Sequence, residues 1–147
     1  MAIIDVNNTR IAKLGNYLET ILEELNSKYK RINADFLGID VNNYSLDKIP
    51  TLSIVEPYIT GGGLYRDVFS FRSRNPYSSD RLSNLKNIGF FEEFESIIKS
   101  NNDEGILPEI NGIESIACLN SGTLNYTDKS MKTAVFDIQL QIIYEEE

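Results

Sequence analysis

Apolar and polar positions alternate along the last long stretch of the chain, Ala134-Val-Phe-Asp-Ile-Gln-Leu-Gln-Ile-Ile-Tyr144. Phe136, Ile138, Leu140, Ile142 and Tyr144 share one side, and Val135, Asp137, Gln139, Gln141 and Ile143 share the other. A period of two is that of a half-buried strand. Such a strand needs an apolar surface to lie on, and two segments of helical period can supply it. In the first, Ile11, Leu14, Leu18, Ile21, Leu22, Leu25 and Tyr29 recur at spacings of three and four, with Asn7, Asn8 or Thr9 placed to cap the helix. In the second, Leu82, Leu85 and Ile88 lead into Phe90, Phe91, Phe94, Ile97 and Ile98, with Ser78 or Ser79 as N-cap and Gly89 as a point of bending or restart.

The segments between them are extended or irregular. Asn33 to Pro50 loses its period and reads mostly as a loop with room for a short strand, around an apolar island of Phe36, Leu37, Ile39 and Val41. Thr51 to Val55 reads as a strand stopped by Glu56-Pro57. Leu64 to Arg74 alternates, with Tyr65, Phe69 and Phe71 on one face and Arg66, Val68, Ser70, Arg72 and Arg74 on the other. Ile113 to Tyr126 reads as an extended segment with a bulge or bend at Asn120-Ser-Gly122, turned back by Thr127–Ser130 onto the terminal strand. The order is α-β-β-α-β-β. This predicts an α+β fold: an antiparallel sheet of about four strands, open to a mixed pairing, with two main helices packed on one face.

Composition narrows the picture. The 147 residues predict a single domain over 1–147, with 58–63 as a flexible Gly-rich loop and 145–147 as an acidic tail. No apolar run reaches the ~18 residues of a membrane span, and Met1 to Asp5 shows no secretory pattern, so the expected setting is a cytoplasm. Cys118 is the sole cysteine and histidine is absent, which argues against a disulfide and against a zinc or histidine-based site. The net charge of −8 tells against a protein that grips nucleic acid through its phosphates, yet it suits one that DNA must slide past.

Candidate chemistry is sparse. Gly61, Gly62 and Gly63 precede a strand rather than the helix that a phosphate loop requires, so they read as a connection between strands. Glu92, Glu93 and Glu95 read as the wetted face of the second helix rather than as a catalytic pair. No catalytic, cofactor or metal residue is expected. Arg66, Arg72 and Arg74 project from one side of a single strand, either to pair with carboxylates such as Asp137 or to meet the acidic surface of a neighbouring subunit.

A family resemblance spans most of the chain, from about Asn8 to Glu147. It rests on Tyr65-Arg-Asp-Val-Phe-Ser-Phe-Arg-Ser-Arg-Asn-Pro-Tyr-Ser-Ser-Asp80 followed by Leu85-Lys-Asn-Ile-Gly-Phe-Phe-Glu-Glu-Phe94, then Ile113-Glu-Ser-Ile116, Gly122 and a last strand closing on Ile143-Tyr144. These stretches resemble the small minor capsid and tail terminator proteins of long-tailed phages and prophages of Gram-positive bacteria. The resemblance implies a structural, non-enzymatic virion protein that forms a homo-oligomeric ring, commonly a hexamer, at the head-proximal end of the tail tube. Its expected partners are the tail tube protein and a head-completion or connector protein, and DNA passes through without specific binding. A ring built by a heterologous contact needs two different patches per subunit. The interface candidates are Arg66, Arg72 and Arg74 with the loop glycines Gly61, Gly62 and Gly63; the channel candidates are Asp137, Gln139 and Gln141. The alternatives are another phage connector, a tube component or part of a headless tail-like particle and, from different classes, a small acidic inhibitory protein or a ligand-binding protein.

Overall fold

A computed structural model describes residues 5–25, 32–34, 37, 43–76, 81–127 and 133–146. Its elements are a 3₁₀ turn at Val6–Asn8, α1 (Arg10–Glu24), β1 (Asn33–Ala34), β2 (Asn43–Ile49), β3 (Ile54–Pro57), β4 (Gly63–Pro76), α2 (Arg81–Glu104), β5 (Ile113–Cys118), β6 (Thr123–Thr127) and β7 (Thr133–Glu146). The fold is α+β, with both helices packed against one face of the sheet. The strand order is β1-β2-β4-β7-β5, with β3 also paired to β4 and β6 to β7. Every pairing is antiparallel except the short parallel contact of β1 with β2.

The seven segments reduce to five ribbons, the short β1 lying outermost beside β2. β7 occupies one edge of β4, so β2 and β3 lie in line along its other edge; β5 and β6 lie likewise in line beside β7. The two breaks are alike. Between the pairs Ile49–Val68 and Ile54–Tyr65, five steps on the outer ribbon answer three on the inner one, and the same holds between Cys118–Leu140 and Thr123–Asp137. A further bulge follows at Ile54/Glu56 and at Leu124/Tyr126. The two outer ribbons are thus interrupted in the same way on either side of the central pair, near Phe69–Leu140.

The core forms where the helical stripes meet the alternating strands. Thr9 caps α1 by accepting from the Ala12 N–H at 3.3 Å, and Leu14, Tyr17, Leu18, Ile21 and Leu22 face inward. They meet Tyr44, Leu46, Phe69 and Phe71, while Phe94 and Ile98 of α2 lie against Ile116, Ile138, Leu140 and Ile142. Phe71 is fully buried between Tyr44, at a centroid distance of 5.5 Å, and Phe94, at 5.1 Å, with both rings stacked on it. Phe91 rests on Phe136 at 5.3 Å in a smaller adjoining cluster.

The structure departs from several expectations. Asn43–Ile49 is a strand with a full ladder to β4, not loop: Tyr44 and Leu46 alternate inward, but the polar residues between them hid the period. The third strand runs later than expected and contains Glu56 and Pro57; as an edge strand it tolerates a residue without an N–H. α2 runs unbroken through Gly89. Its buried stripe is Asn87, Phe91, Phe94 and Ile98, so Leu85 and Ile88 lie outside it and are exposed. β7 also continues further, with Glu145 and Glu146 paired to Leu64 and Gly63. The bend at Asn120–Gly122 is present between β5 and β6. The expected Ser78 or Ser79 cap, the turn at 128–130, Tyr29, and Phe36, Ile39 and Val41 of the apolar island lie outside the described residues.

Phe71→Ala should lower the free energy of unfolding by about 3–5 kcal/mol, because two stacked rings lose their partner in a closed core. Gly89→Ala should raise it by about 0.5–1 kcal/mol, since a Cβ there meets nothing within 4 Å. Urea denaturation measures both, and a destabilised Gly89→Ala would show that α2 requires bare backbone at that turn.

Candidate functional site

Period-two alternation gives β2, β4 and β7 a second face that no described helix covers. It carries Ser45, Asp47 and Ile49 from β2; Arg66, Val68, Ser70, Arg72 and Arg74 from β4; and Val135, Asp137, Gln139, Gln141 and Ile143 from β7. The arginines and the Asp137–Gln139–Gln141 row, assigned from sequence to separate roles, thus lie side by side: Arg72 is opposite Asp137, Arg74 opposite Val135 and Arg66 opposite Ile143.

Each arginine is engaged within the chain. Arg72 forms an ion pair with Asp47, both only partly exposed. Asp47 also accepts from Ser45 Oγ at 2.6 Å, and Asp137 accepts from Ser70 Oγ at 2.6 Å. Arg72 therefore stands between two carboxylates that neighbouring hydroxyls hold in place. Arg66 Nε donates to the Leu52 carbonyl at 2.9 Å, and Arg74, itself buried, reaches Thr133 Oγ1 at 3.5 Å. Gln139 and Gln141 are half-buried, and the Gln139 backbone N–H donates to Asn120 Oδ1 at 2.7 Å. The result is a face whose charges are engaged within the chain and on which Ser45, Val68, Ser70, Arg74 and Val135 are buried.

The glycines sit at one end of this face, in the turn from β3 to β4. The turn is hydrogen-bonded, with the Tyr58 N–H donating to the Gly62 carbonyl at 3.1 Å and the Gly61 N–H to the Tyr58 carbonyl at 3.2 Å. Gly61 and Gly62 have φ of 99° and 71°, and a Cβ on Gly63 would run into the Glu56 carbonyl oxygen. Glycine is thus demanded by backbone geometry at all three positions. Around the turn the acid charge is dense: partial burial, then the carboxylates of Glu145, Glu56 and Glu114, raise the pKa of the Tyr58 phenol.

Sequence reasoning missed Asp67. It lies on the aromatic side of β4 between Tyr65 and Phe69 and is buried. Arg10, at the first position of α1, donates from Nε to Asp67 Oδ2 at 2.6 Å and lays its guanidinium over the Tyr144 ring at 4.6 Å. Lys48 Nζ stands 3.7 Å from Asp67 Oδ1. Burial works against the Arg10 cation, but Asp67 outweighs it and the guanidinium pKa is raised. The signal was available: an acid on the apolar side of an alternating strand needs a cation from elsewhere. Beside this cluster, Arg10, Lys13, Gly112, Tyr144, Glu145 and Glu146 help to line an open depression of about 640 Å³ that mixes both signs of charge.

Glu92 and Glu93 are exposed, whereas Glu95 is half-buried and accepts from the Gly122 N–H at 3.0 Å. Asn102 Oδ1 likewise accepts from the Ile116 N–H at 2.9 Å. These two side chains of α2 plug backbone donors of β5 and of the bend that follows it. Among the described residues, no group of three or more acidic or cysteine side chains could hold a metal ion, and no helix is long and apolar enough to cross a membrane. Burial, followed by Glu95, pushes the Cys118 thiol up to about 12.

Asp67→Ala should cost about 2–3 kcal/mol, below the figure for a fully buried pair, because Arg10 and Lys48 keep part of their hydration. Arg66→Ala, on an exposed carbonyl bond, should cost under about 1 kcal/mol; equal losses in urea titrations would refute this ranking. The folded chain holds the Cys118 proton where the unfolded chain has lost it, so this group's contribution to stability should decline above about pH 8.5. At pH 8, iodoacetamide should alkylate folded Cys118 at least about a hundredfold more slowly than the unfolded chain.

No protein-family model matches the chain, and no curated protein matches it either.

Proposed function

We propose that the chain is a structural subunit of the tail terminator class: a non-enzymatic virion protein that forms a ring on the head-proximal end of a phage tail tube. In this role it stops tube growth and offers a surface to a head-completion or connector protein, and DNA passes through its channel. The sequence resemblance motivates the reading. The observation that carries it is the face of the sheet that no described helix covers, where the arginines are engaged by Asp47, Leu52 and Thr133 instead of being offered to a phosphate backbone. The partly exposed residues of that face, Arg66, Arg72, Asp137, Gln139 and Gln141, in a chain of net charge −8, suit a wall that DNA slides along, because phosphate binding requires available cations that displace counterions.

The test combines purified chain with tail tubes and images the mixture by negative stain. The expected outcome is a single ring at one end of each tube, with further elongation blocked. Decoration along the tube would favour a tube component, and absence from every tube end would sink the reading. The channel assignment has its own check. The native chain should show no binding to duplex DNA by fluorescence anisotropy at low salt, whereas Gln139→Lys/Gln141→Lys should bind weakly, with a Kd on the order of 10–100 µM that rises steeply with salt. Native binding as tight as that of the double variant would exclude a passive channel wall.

A further inference from the structure

Asparagine followed by glycine occurs once in the chain, at Asn111-Gly112. The pair forms the middle of a tight turn that leads into β5, closed by the Ile113 N–H donating to the Ile110 carbonyl at 3.2 Å. Gly112 takes the left-handed conformation that the third position of such a turn favours, with φ of 76°. The two halves of this glycine are in opposite situations. Its carbonyl accepts from the Glu145 N–H at 2.7 Å, which ties the turn to the end of β7, while its own N–H has no acceptor among the described residues. Asn111 is exposed and borders the open depression beside Arg10 and Lys13, and its side chain has no hydrogen-bond partner among the described residues.

Bare backbone at Gly112 matters for chemistry as well as for conformation. An amide nitrogen one residue after an asparagine can reach that side chain's Cγ and close a five-membered ring, and a Cβ on the following residue obstructs the approach. At Asn111 no hydrogen bond within the protein has to break first. Asn120 is the contrast: it is exposed and followed by Ser121, but its Oδ1 accepts from the Gln139 N–H at 2.7 Å and the serine carries a Cβ.

We propose that Asn111 is a site of spontaneous deamidation, and that the change releases the start of β5 from β7. The Gly112 nitrogen gives its proton to solvent base and attacks Asn111 Cγ. The bond from Cγ to the side-chain nitrogen breaks, and ammonia leaves behind a cyclic imide. Water then opens the ring: attack at the former side-chain carbonyl leaves aspartate, and attack at the main-chain carbonyl leaves isoaspartate, in which the chain runs through the former side chain. Both products place a new carboxylate beside Glu114, Glu145 and Glu146. Isoaspartate also lengthens the backbone by a methylene. The turn has no slack for it, since even a Cβ on Gly112 would run into the Glu145 carbonyl oxygen, and the Gly112–Glu145 hydrogen bond is lost.

The test holds the full native chain at mildly alkaline pH, digests samples over time, and reads each asparagine by mass spectrometry with electron-transfer fragmentation, which separates aspartate from isoaspartate. Asn111 should convert first, and Asn120 at least about tenfold more slowly, the ratio expected from one hydrogen bond that must break as well. Separated by chromatography, the isoaspartate form should exchange the Glu145 N–H at least about tenfold faster than Asn111→Asp, which has the same charge on an unaltered backbone. Equal or slower exchange would overturn the release of β5 from β7. Asn120 converting as fast as Asn111, or Asn111 staying intact through an incubation that converts it in the urea-unfolded chain, would overturn the site itself.

Discussion

Everything in this molecule hangs on the ladder between β4 and β7, which runs without a slip from Gly63–Glu146 to Pro76–Thr133. Because successive side chains point to opposite faces, these two strands build the core and the sheet's second face at once. Phe69, Phe71, Ile138, Leu140 and Ile142 supply the apolar floor under both helices, and Ser70, Arg72, Asp137, Gln139 and Gln141 supply the other side. A one-residue slip would exchange the two sets, placing arginine under the helices and phenylalanine in water. That penalty is what holds the register, and the outer ribbons can break and bulge because the central pair does not.

The terminal strand was legible because its alternation is nearly free of exceptions. Leu64–Arg74 was legible for the same reason, and α1 because its stripe is continuous. β2 was not, since only Tyr44 and Leu46 mark its buried face and Lys48, next in phase, turns to Asp67 rather than to the core. The phase of α2 was misread for a related reason: Leu85 and Ile88 are apolar and exposed, while Asn87 is polar and buried. Composition records what a residue is worth in a core; it does not record whether a neighbour is there to cover it. Asp67 shows the converse, because its cation comes from a helix far away in sequence.

The candidate surface was legible residue by residue but not as an arrangement. Parity within Leu64–Arg74 put the three arginines on one face, and parity within the last strand put Asp137, Gln139 and Gln141 on one face. That these are the same face depends on which residue of β4 meets which residue of β7, and local pattern does not state it. Once Arg72 lies opposite Asp137, with Asp47 on the adjoining strand, it stands between two carboxylates and pairs with one of them. The three glycines behave differently: their requirement is set within the turn itself, so the sequence marked the place correctly although the turn is hydrogen-bonded.

Pairing also decides where the excess negative charge is felt. Asp47 and Asp67 are held by Arg72, Arg10 and Lys48, so these groups contribute little field beyond their own neighbourhood. The exposed carboxylates Glu56, Glu114, Glu145 and Glu146 gather where β3 turns into β4, while Glu92 and Glu93 stand exposed on α2. Two copies meeting through the β3–β4 turn would bring like charges together, so a two-fold contact there is disfavoured by the same pairing that leaves the charges of the sheet balanced.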